Sequence, residues 1–304
     1  MRYALSDKPH VQQVVAHLVD LGVKDVVLSP GSRNAPFIIS FTQHPQFRTY
    51  SIPDERVAAF VALGMAQQTR QPVVICCTSG SAVLNYAPAI VEAYYQKIPL
   101  IVITADRPEH LIDNGAGQSM RQQNVYANYI RASYHLSEAY FAPEKDIPAI
   151  ADLLQQASHP DGGPVHLNVA LQEPLYGQQK LSLPAVRWPA IPSTKSPDLT
   201  GLHKVWKKAD RKLVLVGMHQ PDEALQQVLT QLAEDPSVVV WTENLANVSH
   251  PDFHPCIDRL MASFNEEDRK TFVPEVLVTL ADAIVSKWVK KWWLQQSPGY
   301  HVNI

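Results

Sequence analysis

The stretch Asp25-Val26-Val27-Leu28-Ser29-Pro30-Gly31-Ser32-Arg33-Asn34-Ala35-Pro36 sets an apolar run against a polar turn that carries one arginine. Asp25–Leu28 has the β-branched content of a short buried strand. Phe37-Ile38-Ile39-Ser40-Phe41 resumes an apolar pattern and predicts a helix that ends near His44-Pro45. A strand that ends in a turn and opens a helix leaves backbone N–H groups unpaired at its carboxyl end. Ligands bind there in open α/β sheets. Arg33 adds a forked cation suited to a carboxylate or a phosphate. A plain βα turn with a solvated arginine has the same local pattern, so the flanking segments decide.

Those segments repeat the unit. Apolar residues at 11, 14, 15, 18, 19 and 21 have helical spacing, and Gly22 closes that helix. Phe47–Ile52 reads as a strand running into Pro53-Asp54-Glu55-Arg56. Val57–Ala66 reads as a small-residue helix suited to close packing on both sides. Strand Val73–Cys77 ends in Thr78-Ser79-Gly80-Ser81, a helix follows to about 96, and strand Leu100–Thr104 runs into Ala105-Asp106-Arg107-Pro108. Residues 109–146 are polar and show no clear period. Beyond them a helix is predicted over 147–157 and a last strand over 163–169. Apolar strands alternating with helices predict a parallel sheet covered on both faces.

Gln178 to Pro197 is rich in proline, lysine and serine and reads as an interdomain linker. The expected organisation is a first domain over 1–180, a linker over 181–197 and a second α/β domain over 198–304. In the second, Lys212–Gly217, Val238–Trp241, Val276–Leu280 and Tyr300–Ile304 read as strands. Helices are expected over 223–233 and after 280, through about Trp293.

The 304 residues carry a formal net charge of -3 with 18% charged residues, so there is no nucleic-acid footprint. No run has the length of a membrane helix, and the first residues lack the apolar core of a signal peptide. Three cysteines, two of them adjacent, form neither a disulfide framework nor a zinc site. A cytoplasmic protein is expected, with no nucleic-acid or membrane partner.

Chemistry concentrates at three strand ends: Ser32-Arg33-Asn34, Thr78-Ser79-Gly80-Ser81 and Thr104-Ala105-Asp106-Arg107. Parallel strands share a direction, so these clusters should converge on one sheet edge. Two arginines there suit an anionic, carboxylate-bearing ligand, unless Arg107 pairs with Asp106 or Asp54 as a structural bridge. Glu55 opens an unusually apolar helix. It serves either as a helix-dipole partner or as a carboxylate at a buried interface, able to exchange a proton with a heteroaromatic nitrogen. Cys76-Cys77 should be buried and inert. His10, His44 and His135 receive no role. Asp161-Gly162-Gly163 is followed by Pro164 and a strand rather than a helix that could hold a phosphate. Trp288, Trp292 and Trp293 suit core or interface filling.

Taken in order, Ser29–Pro36, Asp54-Glu55-Arg56-Val57-Ala58-Ala59-Phe60, Cys77–Gly80, Thr104–Pro108, Gln118 and Gly163–Asn168 resemble one family. It is the thiamine-diphosphate enzyme family of menaquinone biosynthesis, the 2-succinyl-5-enolpyruvyl-6-hydroxy-3-cyclohexene-1-carboxylate synthases. The match is densest over residues 10–176 and is traceable in Glu243–Val248 and Ile284–Lys287. The resemblance implies the fold class: two parallel-sheet, three-layer α/β domains, a pyrimidine-binding domain and a central domain, of a three-domain enzyme. It also implies an activity, the decarboxylation of 2-oxoglutarate on thiamine diphosphate and addition of the succinyl carbanion equivalent to isochorismate.

By this resemblance Glu55 would bond the aminopyrimidine N1′ and promote its imino tautomer. Thr78, Ser79, Gly80 and Ser81 would line the pyrimidine pocket. Ser32, Arg33, Arg107, Gln118 and, in the central domain, Lys287 would face substrate. A homo-oligomer, a dimer or tetramer, is implied, with the 57–66 helix part of the contact. Gly117 and Trp288 depart from the polar residues expected beside Gln118 and Lys287. The family's Gly-Asp-Gly motif and following Asn, which hold Mg2+ and the diphosphate, do not occur in this sequence. No metal ligands are therefore assigned, and the chain by itself is expected to be inactive, as the first two domains of the enzyme. Two other readings stay open: a non-catalytic, dimerising anion-binding module, and another thiamine-diphosphate-dependent 2-oxoacid decarboxylase.

Overall fold

Short β-branched runs that alternate with helices bury both faces of the sheet they form. A computed structural model shows this arrangement twice; it describes residues 2–159, 162–189, 198–280, 283–296 and 298–304. The chain divides into two compact units, Met1–Pro192 and Ser193–Ile304.

The first unit begins with strand β1 (Tyr3–Ser6), helix α1 (Pro9–Asp20), β2 (Asp25–Leu28), α2 (Ala35–Gln43), β3 (Arg48–Ser51) and α3 (Glu55–Thr69). It continues through β4 (Val73–Cys77), α4 (Ala82–Asn85), α5 (Ala87–Tyr95), β5 (Leu100–Asp106), β6 (Ala132–Ser137), α6 (Pro143–Ser158), β7 (Val165–Ala170) and β8 (Gln178–Leu181). Six strands form one sheet in the order β3-β2-β4-β5-β7-β6, and all neighbours are parallel. β1 and β8 form a separate antiparallel pair.

The apolar periodicity explains the layers. Val14, Leu18, Phe37, Phe41, Ile150 and Leu154 from α1, α2 and α6 cover one sheet face. Ala58, Ala62, Ala66 and Ile90 from α3 and α5 cover the other. The alanine stripe lets α3 approach closely, but only one side is buried within this chain. Val57, Phe60 and Val61 remain 50%, 44% and 38% exposed, against the expectation of packing on both sides.

Other differences have local causes. The single helix expected over 82–96 is two, because the chain turns at Tyr86 and restarts on Pro88, whose ring lacks an N–H. The polar stretch 109–146 contains β6, an edge strand with mostly half-buried side chains that carries no alternating apolar signal. Gln178–Leu181, at the start of the expected linker, is β8, held by backbone pairing to β1 rather than by apolar content. Trp188 further along packs edge-on against His17 and donates to Asp20 at 2.5 Å. The rest of that linker, 190–197, and Asp161 of the glycine pair lie outside the described residues.

The second unit contains α7 (Thr200–Trp206), β9 (Lys212–Val216), α8 (Glu223–Ala233), β10 (Val238–Thr242), β11 (Phe253–His254), α9 (Ile257–Ser263), α10 (Glu266–Thr271), β12 (Val276–Leu280), α11 (Lys287–Gln296) and β13 (Tyr300–Asn303). Its sheet, in the order β11-β10-β9-β12-β13, is also parallel. Trp292 is core against Trp241 and Phe272, whereas Trp288 is exposed.

Leu136 of β6 is fully buried, so Leu136→Ala should destabilise the first unit by about 2–5 kcal/mol. Denaturant unfolding checks this; an unchanged midpoint would show that β6 is not part of the core.

Candidate functional site

In the six-stranded sheet β2, β4 and β5 are adjacent and parallel, so the turns after them open at the same edge. The three polar clusters meet there as their spacing predicts. The first turn is shaped by Asn34, which is fully buried. Its Oδ1 accepts the Gly31 N–H at 2.9 Å and its Nδ2 donates to the Ser29 carbonyl at 3.0 Å. Gly31 has no side chain because none fits: a Cβ there would overlap the side chain of Thr78 at the end of β4. The Ser29–Pro36 turn is thereby pressed onto the Thr78–Ser81 turn. Tyr86 is buried behind them and donates to Ser29 Oγ at 3.2 Å.

The Thr78–Ser81 turn contains Gly80 at a φ of 87°, left-handed geometry that glycine adopts without strain. Its Cα faces the Gln118 backbone so closely that a Cβ would lie 3.3 Å from it. Gln118, itself at a φ of 53°, thus arrives beside the Thr78–Ser81 turn from a distant part of the chain. Thr78 is half-buried, Ser79 buried, and Ser81, Ser32 and Gln118 are exposed.

Glu55 is half-buried at the first position of α3. The capping task falls to Asp54, whose carboxylate accepts the Val57 N–H at 2.9 Å. The Glu55 carboxylate makes no hydrogen bond or ion pair among the described residues. It lies near the end of β4: burial, then the neighbouring charges of Cys76 and Glu55, hold the Cys77 thiol well above its ordinary range. Burial likewise pushes the Cys76 thiol up to about 12. Both cysteines are inert core residues, as their position in a buried strand predicts.

The two arginines differ. Arg33 is buried and already engaged with its own chain. Its Nη1 donates to the Leu171 carbonyl at 3.0 Å and its Nη2 to Glu173 at 3.3 Å. Arg107 is half-buried, and its Nε is enclosed with no partner. Its guanidinium pairs with neither Asp54 nor Asp106, so the structural-bridge alternative is not what the fold forms. Lys287, exposed at the start of α11, belongs to the second unit.

The reason Asp106 leaves Arg107 alone lies in a buried network that the sequence reading missed. Asp106 is not in the turn; it is the last residue of β5 and is 3% exposed. Its Oδ1 accepts the Arg107 backbone N–H and its Oδ2 the Asn168 Nδ2, both at 2.8 Å. Asn168 Oδ1 accepts from Thr104 Oγ1 at 2.7 Å and from Gln122 Nε2 at 2.9 Å. Gln122 Oε1 accepts the Gly80 N–H at 2.9 Å. Asn168 Nδ2 also faces His135 Nδ1 at 3.0 Å, and His135 Nε2 faces Glu109 at 3.0 Å. His166 Nε2 meets Thr104 Oγ1 at 2.8 Å. Since Thr104 donates its only proton to Asn168, His166 must donate here, which fixes its tautomer. Gln122 carried no sequence signal, as a lone glutamine in a polar stretch. The parallel spacing of Asp106 and Asn168 at two strand ends could have flagged those two.

Among the described residues no three His, Cys, Asp or Glu side chains gather as metal ligands. Toward an aminopyrimidine ring the set fits: a carboxylate at Glu55 without a hydrogen-bond partner among the described residues, near the end of β4 and the Thr78–Ser81 turn.

Residues 10–126 match the family described as thiamine pyrophosphate enzyme, N-terminal TPP binding domain. The chain is 42% identical over 302 residues to the 2-succinyl-5-enolpyruvyl-6-hydroxy-3-cyclohexene-1-carboxylate synthase of Flavobacterium johnsoniae, covering 93% of this chain and 51% of that protein. It is 40% identical over 328 residues to the same-named protein of Christiangramia forsetii, covering 100% and 56%. The chain spans about half the length of the curated relatives it matches. In structure it superposes on benzoylformate decarboxylase from Polynucleobacter necessarius with a TM-score of 0.67 at 20% identity, covering 97% of this chain and 52% of that one. That likeness speaks to fold alone. The first unit therefore contains the N-terminal TPP binding domain of thiamine pyrophosphate enzymes, over residues 10–126. Within that class, the chain is a homologue of the 2-succinyl-5-enolpyruvyl-6-hydroxy-3-cyclohexene-1-carboxylate synthases. No helix among the described residues is long and apolar enough to cross a membrane.

Burial lowers four histidines of this unit, His10, His17, His44 and His166, two of them far enough to stay neutral across the mildly acidic range. His166 is lowered to about 3, chiefly by burial and then by nearby His135. His10 is lowered to about 4, chiefly by burial, with Glu138 opposing. Below pH 6.5 the unfolded chain takes up protons that these rings refuse, so folded stability is full above that pH and falls below it. Each ring removes up to about 1.4 kcal/mol per pH unit. Asp106, raised by burial, acts in the opposite direction. The melting temperature read from first-unit signals should drop steadily from pH 6.5 to pH 4; a flat profile would contradict the neutral buried state.

Proposed function

We propose that the whole protein decarboxylates 2-oxoglutarate on thiamine diphosphate and adds the succinyl unit to isochorismate, a reading supported by relatives named 2-succinyl-5-enolpyruvyl-6-hydroxy-3-cyclohexene-1-carboxylate synthase. The single observation that carries this reading is Glu55. It is a carboxylate without a partner, opening α3 beside the β4 turn, within a segment that matches a TPP-binding domain.

When bound, thiamine diphosphate supplies the carbon nucleophile and the electron sink for loss of CO2. The chain's own residues do the rest. Glu55 holds a proton against the N1′ position of the aminopyrimidine. Thr78, Ser79, Gly80 and Ser81 would line the pocket for that ring, in a turn that Gly80 lets pack against the Gln118 backbone. Arg107 offers enclosed N–H donors to a substrate carboxylate. Arg33 joins it by exchanging its contact with Glu173, a partner whose side chain is 74% exposed, for the substrate. Ser32 and Gln118, both exposed at this edge, hydrogen-bond the substrate's polar groups; Lys287, exposed at the start of α11, is a candidate substrate-binding cation of the second unit taken by itself. Mg2+ and the diphosphate are held, in this reading, by a further domain of the whole protein.

The exposed Val57, Phe60 and Val61 on α3 supply an apolar face to a second subunit, making the protein a homo-oligomer. The division into a pyrimidine-binding domain over 1–180 and a central domain over 198–304 follows the same reading.

In the whole protein Glu55→Gln should fold normally and lower CO2 release from 2-oxoglutarate by at least about 100-fold, read by a coupled CO2 assay. Turnover within a few-fold of the unmodified protein would refute the role of Glu55.

A further inference from the structure

Arg107 and Asp106 are chain neighbours, and an arginine next to a carboxylate ordinarily pairs with it. Here the carboxylate is turned inward. Both of its oxygens are occupied, one by the Arg107 backbone N–H and the other by Asn168 Nδ2. The enclosed Arg107 Nε is left without a partner.

The direction of this arrangement is forced. The Gly80 N–H can only donate, so Gln122 must present its oxygen to it and its Nε2 to Asn168. Asn168 must then present its oxygen to Gln122 and Thr104, which leaves its Nδ2 for Asp106. Each of Gln122, Asn168 and Asp106 is at most 3% exposed, so water does not compete. His135 Nδ1 also accepts from Asn168 Nδ2 and reinforces the orientation.

We propose that Asn168 is a positioning residue that withholds the Asp106 carboxylate from the Arg107 guanidinium, keeping Arg107 available for a ligand carboxylate. This rests on the reading of Arg107 as a substrate residue. Without the Asn168 amide, Asp106 Oδ2 is buried and unsatisfied, and the groups that can turn a donor toward it are the guanidinium of the next residue and His135. Arg107 would then be neutralised from within. The orienting chain begins at the Gly80 turn, so the wall proposed to face the pyrimidine and the arginine proposed to face the substrate share one hydrogen-bonded support.

The test uses the 304-residue chain, isotopically labelled, with benzoate as the ring-carboxylate probe. In the ligand-free chain the Arg107 Nη signals should show free rotation of the guanidinium, and titrating the Asp106 carboxyl should leave them in place. In Asn168→Ala rotation should slow, and in the Asn168→Ala/Asp106→Ala double variant it should be free again. Benzoate should shift the Arg107 Nε–H signal in the unmodified chain. It should bind about fivefold more weakly to Asn168→Ala, and the double variant should recover the affinity. A paired Arg107 in the unmodified chain, or a free one in folded Asn168→Ala, would overturn the proposal. Should Asn168→Ala not fold, the Asp106 titration in the unmodified chain decides alone. If benzoate leaves Arg107 unmoved in every variant, the substrate role of Arg107 fails instead, while the rotation measurements still decide the role of Asn168.

Discussion

A backbone N–H can donate a hydrogen bond but never accept one, and at Gly80 that asymmetry organises the whole site edge. Gln122 and Asn168 each have a donor end and an acceptor end that could point either way, whereas the Asp106 carboxylate accepts at both of its oxygens. Starting from Gly80, every amide in the series has one orientation that satisfies its neighbour, and the series ends on the backbone N–H of Arg107. In an interior without water, reversing either amide would set donor against donor and leave polar atoms unsatisfied, at a cost of about 1–3 kcal/mol each. The network joins the ends of β4, β5 and β7 and the 118–122 segment more firmly than their apolar contacts alone would.

The parallel sheet supplies the other half of the constraint. The registers of β2, β4 and β5 place Val27 beside Ile75 and Ile75 beside Val102, so the turns that follow leave the sheet at matching heights. Close approach is then achieved by omission. Gly31 makes room for Thr78, and Gly80 makes room for the Gln118 backbone. Glu55 reaches the same edge because α3 packs through alanines on the face that carries β4.

Much of this was legible in the sequence. Fully buried strands such as β4 and β5 announce themselves by continuous apolar runs, and the polar clusters at their ends define the edge. What escaped detection had no periodic signal. β6 is an edge strand with half-buried polar side chains, and β8 is Gln-Gln-Lys-Leu, which nothing but pairing with β1 makes a strand. Gln122 and Asn168 read as ordinary polar residues, since their role depends on partners tens of residues away. The apolar run fades at Thr104, which reads as the start of a turn, although the ladder continues through Ala105 and Asp106 to β7. The unpaired state of Arg107 could not be read from the adjacency of Asp106, because it depends on Asn168.

These observations make Glu55 and Arg107 two ionic groups without hydrogen-bond partners among the described residues, on either side of one rigid support; the proposed function sets the first against an aminopyrimidine ring and the second against a substrate carboxylate. The most direct test is a structure of the whole protein with thiamine diphosphate bound. The account predicts the Glu55 carboxylate within hydrogen-bonding distance of the aminopyrimidine N1′, with the ring lying against Thr78–Ser81. A bound cofactor whose ring lies away from β4, with Glu55 turned to solvent, would contradict it.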